Sequence, residues 1–245
     1  MISEGIGRAG TAIKSAIASA IGGLGIPPNV LTLSSLIPMM IAAWNLATGR
    51  PFVAAGWIVV GGALDLIDGA VARASGTTTD FGAVLDSVVD RASDTLVHIG
   101  VVYHFHMLGE PLYVVLSAIS LGGSLGVSYT RARAENVIPE CRVGFTERSE
   151  RLVLLLLGLF AGRLGQAVTL LAFLGWLTTV QRLLHAYRVL QLRHQTSDGE
   201  GPLPQGLELW RPAGRWLFLN WPRGSWQYDL ICAAIITVLL TLPGV

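Results

Sequence analysis

The chain has 245 residues, 52% of them hydrophobic and 13% charged, with mean hydropathy +0.57 and a formal net charge of +1. That composition excludes an ordinary soluble enzyme and points to a polytopic membrane protein, and no nucleic-acid partner is expected. The two cysteines, Cys141 and Cys232, fall in a polar loop and an apolar segment, so no disulfide framework is expected either.

Residues 1–25 carry Arg8 and Lys14 in an interrupted Gly/Ala-rich pattern, which predicts an interfacial helix rather than a signal peptide. Six apolar runs of spanning length follow, at about 30–48, 52–73, 81–105, 111–132, 151–170 and 168–190, the last pair divided around Arg163-Leu-Gly-Gln166. The expected fold is all-α, with six transmembrane helices. Pro27-Pro28 precedes the first run, with Asn29 or Thr32 as candidate caps; Thr78, Thr79 or Asp80 can cap the third, and Pro111 opens the fourth.

A polar Gly/Pro-rich linker at 196–206 separates a membrane domain over 26–195 from a C-terminal segment over 196–245. In that segment Trp210, Arg211, Arg215, Trp216, Trp221, Arg223 and Trp226 alternate as at a membrane interface, and a short apolar stretch follows at 229–243. With six spans, Arg8, Lys14, Arg73, Arg131, Arg133, Arg142, Arg148, Arg151, Arg188 and Arg193 fall on one side, against Arg50 and Arg163 on the other. The positive-inside rule makes the first side cytoplasmic in a multi-pass cell-membrane protein.

The second and third runs contain Asp65, Asp68, Asp86 and Asp90. An ionisable residue at the centre of a membrane helix costs about 2.5–3.5 kcal/mol on insertion scales, so these four require a counter-ion or a polar cavity. Asp65 and Asp68 are spaced i,i+3, and Gly82, Asp86 and Asp90 are spaced i,i+4,i+8, so each helix shows one acidic face. Counted outward from Gly76, the acids meet at similar depths in an antiparallel hairpin on the cytoplasmic side. Oxygen-only ligands suit Mg²⁺ or Mn²⁺, ions that work on phosphates. Gly69 and Ala72 leave room for a bulky ligand, and Arg73 can hold a phosphate oxygen.

The pattern D-x2-D-G-x2-A-R-x8-G-x3-D-x3-D, running from Asp65 to Asp90, resembles the signature of the CDP-alcohol phosphotransferase family at every fixed position. The resemblance covers roughly 25–195. It implies a six-helix, usually dimeric membrane enzyme that transfers a phosphatidyl-type group from a CDP-activated lipid to an alcohol and releases CMP. By the same resemblance, Asp65, Asp68, Asp86 and Asp90 bind two metal ions and Asp90 also accepts the proton. Asn29, Val30, Leu31, Thr32, Gly69, Ala72, Arg73, Thr79 and Gly82 would contact the CDP-lipid.

A second constellation comprises Ser128-Tyr-Thr-Arg131-Ala-Arg133-Ala-Glu135, Glu147-Arg148-Ser-Glu150-Arg151 and Gln181-Arg182. It is similar to elements of phosphatidylinositol-phosphate synthases and their archaeal ether-lipid counterparts. That similarity implies acceptor binding by Ser128, Arg131, Arg151 and Arg182, with Arg131 standing where Lys is common. Several convergent cations suit an acceptor that already carries a phosphate. Inositol phosphate is the first expectation and glycerol 3-phosphate the competing one.

Other polar groups have plainer expected roles. Asp94 extends the acidic stripe as a hydrogen-bond partner of the ligands. Glu135, Glu147 and Glu150 pair with arginines, His98, His104, His106, His185 and His194 are structural or interfacial, and Gly122, Gly123 and Gly126 allow close helix packing. An ion-coupled transporter is the alternative of another class, and it would spread polar residues across the bilayer or show broken-helix repeats.

Overall fold

Pro28 starts the first helix at a position where a missing amide costs nothing, and Pro27 precedes it with no side-chain cap, so neither Asn29 nor Thr32 performs that task. The structure is a computed structural model that describes residues 27–74, 76–141, 143–195 and 225–241. Among them all regular structure is helical: α1 (Pro28–Ser34), α2 (Leu36–Ala47), α3 (Pro51–Ala74), α4 (Asp80–Met107), α5 (Pro111–Ala134), α6 (Arg148–Phe160), α7 (Leu164–Gln195) and α8 (Trp226–Thr241). The expected interfacial helix at 1–25, the linker at 196–206, Arg142, and the residues Trp210 to Arg223 of the Trp/Arg segment lie outside the described residues.

The break between α1 and α2 has a local cause. Pro38 cannot donate to the carbonyl of Ser34 and its ring crowds that turn. The Ser34 and Ser35 hydroxyls donate instead to the carbonyls of Leu31 and Thr32, at 2.7 Å each. The two helices still make one continuous apolar segment, Pro28–Ala47.

The chain divides into two units, Met1–Gly109 and Glu110–Val245. In the first, α1 packs on α3 through Leu31 and Val71, with Ile67 and Ala70 around them. α2 packs on α4, where a Cβ at Gly100 would come within 2.8 Å of the Ala43 Cα and carbonyl oxygen. Backbone cannot yield as a side chain does, so Gly100→Ala is expected to destabilise the fold by about 1–3 kcal/mol, read as a lowered unfolding midpoint in detergent. An unchanged midpoint would contradict this packing.

In the second unit α5 packs along α7. Gly123 and Gly175 face each other so closely that a Cβ on either would lie 3.2–3.3 Å from the other's backbone, and Gly126 and Gly122 face Thr179 and Trp176. The expected role of these glycines in close packing is met. The Trp176 indole donates to the Ile119 carbonyl at 3.1 Å.

The fifth and sixth runs divide earlier than expected. α6 ends at Phe160, and Gly162, at φ 66°, closes it with reverse bonds from the Gly162 amide to Leu159 and from the Arg163 amide to Gly158. Gly162, which tolerates positive φ, is the stop, and Gly165 lies inside α7, facing Tyr113. α6 is therefore 13 residues long rather than a full 151–170 run.

Among the described residues, four segments are long and apolar enough to cross a membrane: Pro28–Ala47, Pro51–Arg73, Pro111–Ala134 and Leu164–Arg193. α4 has the length, at 28 residues, but carries Asp80, Asp86, Asp90, Arg91 and Asp94. Large apolar side chains on these helices point outward, Leu66, Val84 and Val88 among them, while Asp68 is buried. That inversion of the soluble pattern matches a lipid surround.

Candidate active site

The acidic hairpin is built by two caps. α3 ends with the Gly76 amide bonded to the Arg73 carbonyl and the Thr77 amide to the Ala72 carbonyl, a reversal that needs the positive φ of 65° at Gly76. α4 then starts on Thr79, whose hydroxyl accepts from the Gly82 amide at 3.0 Å. The turn returns the chain so that carboxylate oxygens of Asp65, Asp68 and Asp86 all lie within 4.8 Å of one another.

Asp68 is the most enclosed of them. Its Oδ1 accepts from the Gly69 amide, the buried Thr32, whose hydroxyl donates to the Pro28 carbonyl at 3.1 Å, lines a cavity with it, and Oδ2 is buried with no hydrogen bond. Asp90 lies one turn beyond Asp86, outside the trio, with one oxygen also buried.

Beside the trio is a cavity of about 170 Å³ lined by Asn29, Thr32, Asp68, Gly69, Ala72, Arg73, Thr79, Gly82 and Asp86, together with Pro28, Thr77, Thr78 and Ala83. Seven of the nine residues expected to contact a CDP-lipid are thus brought together. Val30 and Leu31 are not: Val30 is exposed on the far side of α1, and Leu31 is core against Val71. On a helix the polar i and i+3 positions share a face, which excludes the two between them. Thr77, which was not singled out, and Thr78, expected only as a candidate cap, also line the cavity, and their place between Gly76 and the Thr79 cap is the signal for them.

The glycines set the shape of this cavity. A Cβ at Gly69 would meet the Arg73 guanidinium at 3.3 Å, and one at Gly82 would meet Thr79 Oγ1 at 3.1 Å and Asn29 Oδ1 at 3.4 Å. Arg73 folds over Gly69, and the first turn of α4 lines the same space with Gly82 and Ala83. Both features favour an anion there.

The second constellation is organised by α7. Thr178 and Gln181, both fully buried, hold the 135–147 loop: Thr178 Oγ1 accepts from the Thr146 amide and Gln181 Oε1 from the Phe145 amide, each at 3.2 Å. Arg182 is 2% exposed and donates to the Val143 carbonyl at 3.0 Å and the Val127 carbonyl at 2.6 Å. It is therefore a strut between loop and α5 as well as a cation.

Arg131, Arg151 and Arg182 all bear on the same short stretch of loop, at Glu147, Thr146 and Val143 respectively, so the three arginines form one cluster. Arg131 pairs with Glu135 at 2.9 Å and stands 3.8 Å from Glu147. Arg151 is buried with Nη1 3.5 Å from the Thr146 carbonyl, and Ser128 is half-buried beside Val127. In the loop, burial pushes the Cys141 thiol up from its ordinary range, opposed by the neighbouring Arg182 charge. Thr146 and Thr178 were not anticipated; the stripe of polar residues at 178, 181 and 182 on a spanning helix is the signal that marks their partners.

A divalent cation fits the trio. Three carboxylates within 4.8 Å of one another repel unless a cation or protons intervene, the donors are all oxygen, and Asp68 Oδ2 is an enclosed acceptor otherwise left unused. Acids next to an anion-favouring cavity can hold and activate a phosphate ester, and the arginine cluster can grip a second phosphate.

Comparison with known proteins gives the same chemistry from another direction. Residues 26–188 match the family model for CDP-alcohol phosphatidyltransferase. Archaetidylinositol phosphate synthase of Methanothermobacter thermautotrophicus is 34% identical over 174 residues, covering 69% of this chain and 87% of that protein. Phosphatidylinositol phosphate synthase of Mycobacterium tuberculosis is 36% identical over 185 residues, covering 70% and 84%. Crystal structures of the M. tuberculosis enzyme superpose well: the form with CDP-DAG bound has a TM-score of 0.67 at 31% identity, covering 79% of this chain and 99% of that one. The form with manganese and citrate has a TM-score of 0.68 at 29% identity, covering 78% and 93%.

Proposed function

The chain belongs to the CDP-alcohol phosphatidyltransferase family, and on that premise we propose that it transfers the phosphatidyl-type group of a CDP-activated lipid to inositol phosphate, releasing CMP. It is a membrane transferase, so the transporter reading is set aside. The observation that carries the acceptor is the gathering of Arg131, Arg151 and Arg182 on the loop residues Glu147, Thr146 and Val143, three cations where a neutral or cationic alcohol would need none.

The donor's cytidine diphosphate is held in the cavity lined by Asn29, Thr32, Gly69, Ala72, Arg73, Thr79 and Gly82, with Arg73 on a phosphate oxygen. Val30 and Leu31 support that wall through the fold rather than by contact. Asp65, Asp68, Asp86 and Asp90 hold two divalent ions, Mg²⁺ or Mn²⁺, which when bound neutralise charge on the pyrophosphate and on departing CMP. Asp90, outside the trio, takes the proton from the acceptor hydroxyl. The hydroxyl oxygen then bonds to the phosphorus that carries the lipid, the bond from that phosphorus to the CMP oxygen breaks, and CMP leaves with the electron pair. Ser128, Arg131, Arg151 and Arg182 bind the acceptor's own phosphate, which takes no part in the exchange.

The membrane body comprises six segments, with α1–α2 acting as one and α6 the shortest. It is supported by the length of α4, whose acids lower its hydropathy without removing its apolar outer face. The excess of arginine near the hairpin turn and at the ends of α5 and α7 sets the active site toward the cytoplasm. The family's usual homodimer is the proposed assembly, with 26–195 as the catalytic domain and 196–245 as an appended segment.

The test is CMP release by purified protein with CDP-diacylglycerol and Mg²⁺ or Mn²⁺. Release is expected only when inositol phosphate is added. Equal or faster turnover with glycerol 3-phosphate would overturn the acceptor assignment.

A further inference from the structure

The family match ends at residue 188, yet α8 lies against α7 and reaches the entry to α6. Its Tyr228 hydroxyl donates to Glu150 Oε1 at 3.1 Å, and its ring packs on Phe145 with centroids 5.2 Å apart. The two contacts fall on either side of Thr146-Glu147. Glu150 is already committed on its other oxygen, Oε2, which accepts from the Glu147 amide at 2.7 Å in a reciprocal capping box at the start of α6. Glu147 in turn stands 3.8 Å from Arg131, and the Thr146 carbonyl faces Arg151. A continuous path of polar contacts therefore runs from α8 through one carboxylate to the arginine cluster.

We propose that Tyr228 is a positioning residue for acceptor binding: α8 fixes the Glu150–Glu147 cap and so sets where the Arg131 and Arg151 guanidinium groups stand. This rests on the assignment of those arginines to the acceptor's phosphate. Two features separate it from simple membrane anchoring. The anchor function needs only the outward apolar residues of α8, such as Leu230, Val238 and Leu240, whereas Tyr228 and Phe145 form an inward, directional contact. Loss of a hydrogen bond to a carboxylate leaves the charge in place but lets the cap and loop relax, which weakens a pre-organised phosphate grip without touching the donor cavity.

The full-length enzyme is assayed with Tyr228→Phe, which keeps the ring on Phe145 and removes only the hydroxyl. The expected result is a KM for inositol phosphate raised about fivefold, with kcat and the KM for CDP-diacylglycerol within twofold of wild type and an unfolding midpoint unchanged. Glu150→Gln is expected to raise the same KM, and adding Tyr228→Phe to it should have little further effect, because both act through one contact. Equal changes in both KM values, a fall in kcat alone, additive effects of the two substitutions, or no change would each overturn the proposal. Arg131→Ala serves as the reference. If it raises the acceptor KM and Tyr228→Phe does not, the positioning role alone fails; if Arg131→Ala leaves that KM unchanged, the acceptor assignment fails and the positioning role with it.

Discussion

Asp68→Asn is expected to abolish CMP release, by about a thousandfold or more, and also to remove the rise in unfolding temperature that Mn²⁺ gives the wild-type protein. Asp68 is buried and brings an otherwise unused oxygen into the acidic trio. Asparagine keeps the shape but removes the charge that holds a divalent ion, and stabilisation by a bound ion scales with its affinity for the folded state. Asp90→Asn should separate the two readouts. It too should lose CMP release, by about 10²–10⁴-fold as befits a general base, but should keep part of the Mn²⁺-dependent stabilisation because the trio of Asp65, Asp68 and Asp86 is intact. Unchanged turnover in Asp90→Asn would remove it as the base, and a full Mn²⁺ shift in Asp68→Asn would remove the trio as the metal site. Both are read from CMP assays and thermal unfolding with and without metal.

The second large effect is on the acceptor. Arg151→Ala is expected to raise the KM for inositol phosphate by about a hundredfold, the loss of a charged hydrogen bond to phosphate, while leaving the KM for CDP-diacylglycerol near wild type. Arg151 is itself buried, with Nη1 3.5 Å from the Thr146 carbonyl, so some stability is expected to go with the affinity. Arg182→Ala should look different. It removes the bonds to the Val143 and Val127 carbonyls and empties a fully buried volume, so about 3 kcal/mol or more of stability should go with the affinity. A hundredfold KM change in Arg182→Ala at unchanged stability would contradict its role as a strut. Steady-state kinetics paired with unfolding midpoints in detergent distinguish the two.

The acidic hairpin was legible because its physics is local. Acid spacing on two helices, a Gly-Thr-Thr-Thr turn and a Thr cap are short-range features, and together they bring Asp65, Asp68 and Asp86 together and form the cavity beside them. Helix existence was equally readable, from apolar runs with Pro28 before the first and Pro111 opening the fourth. What escaped was set by finer or longer-range geometry. Asn29 and Thr32 line the cavity while Val30 and Leu31 turn away, a distinction that depends on which face of α1 meets α3. The end of α6 hung on one residue, Gly162, whose positive φ could not be told in advance from the helical role of Gly165. Arg182 was identified as a cation, but its service as a strut depends on carbonyls 39 and 55 residues away in the chain. The docking of Tyr228 on Glu150 spans 78 residues and left no periodic trace in the sequence.

The central claim is that two phosphates have separate fates, one transferred with the lipid and one held by arginine. Mass analysis of the lipid made from CDP-diacylglycerol and inositol phosphate tests it most directly. The predicted product is phosphatidylinositol phosphate with two phosphorus atoms per molecule, formed one for one with CMP. A lipid carrying inositol without the second phosphate, or CMP release with no new lipid, would contradict the account.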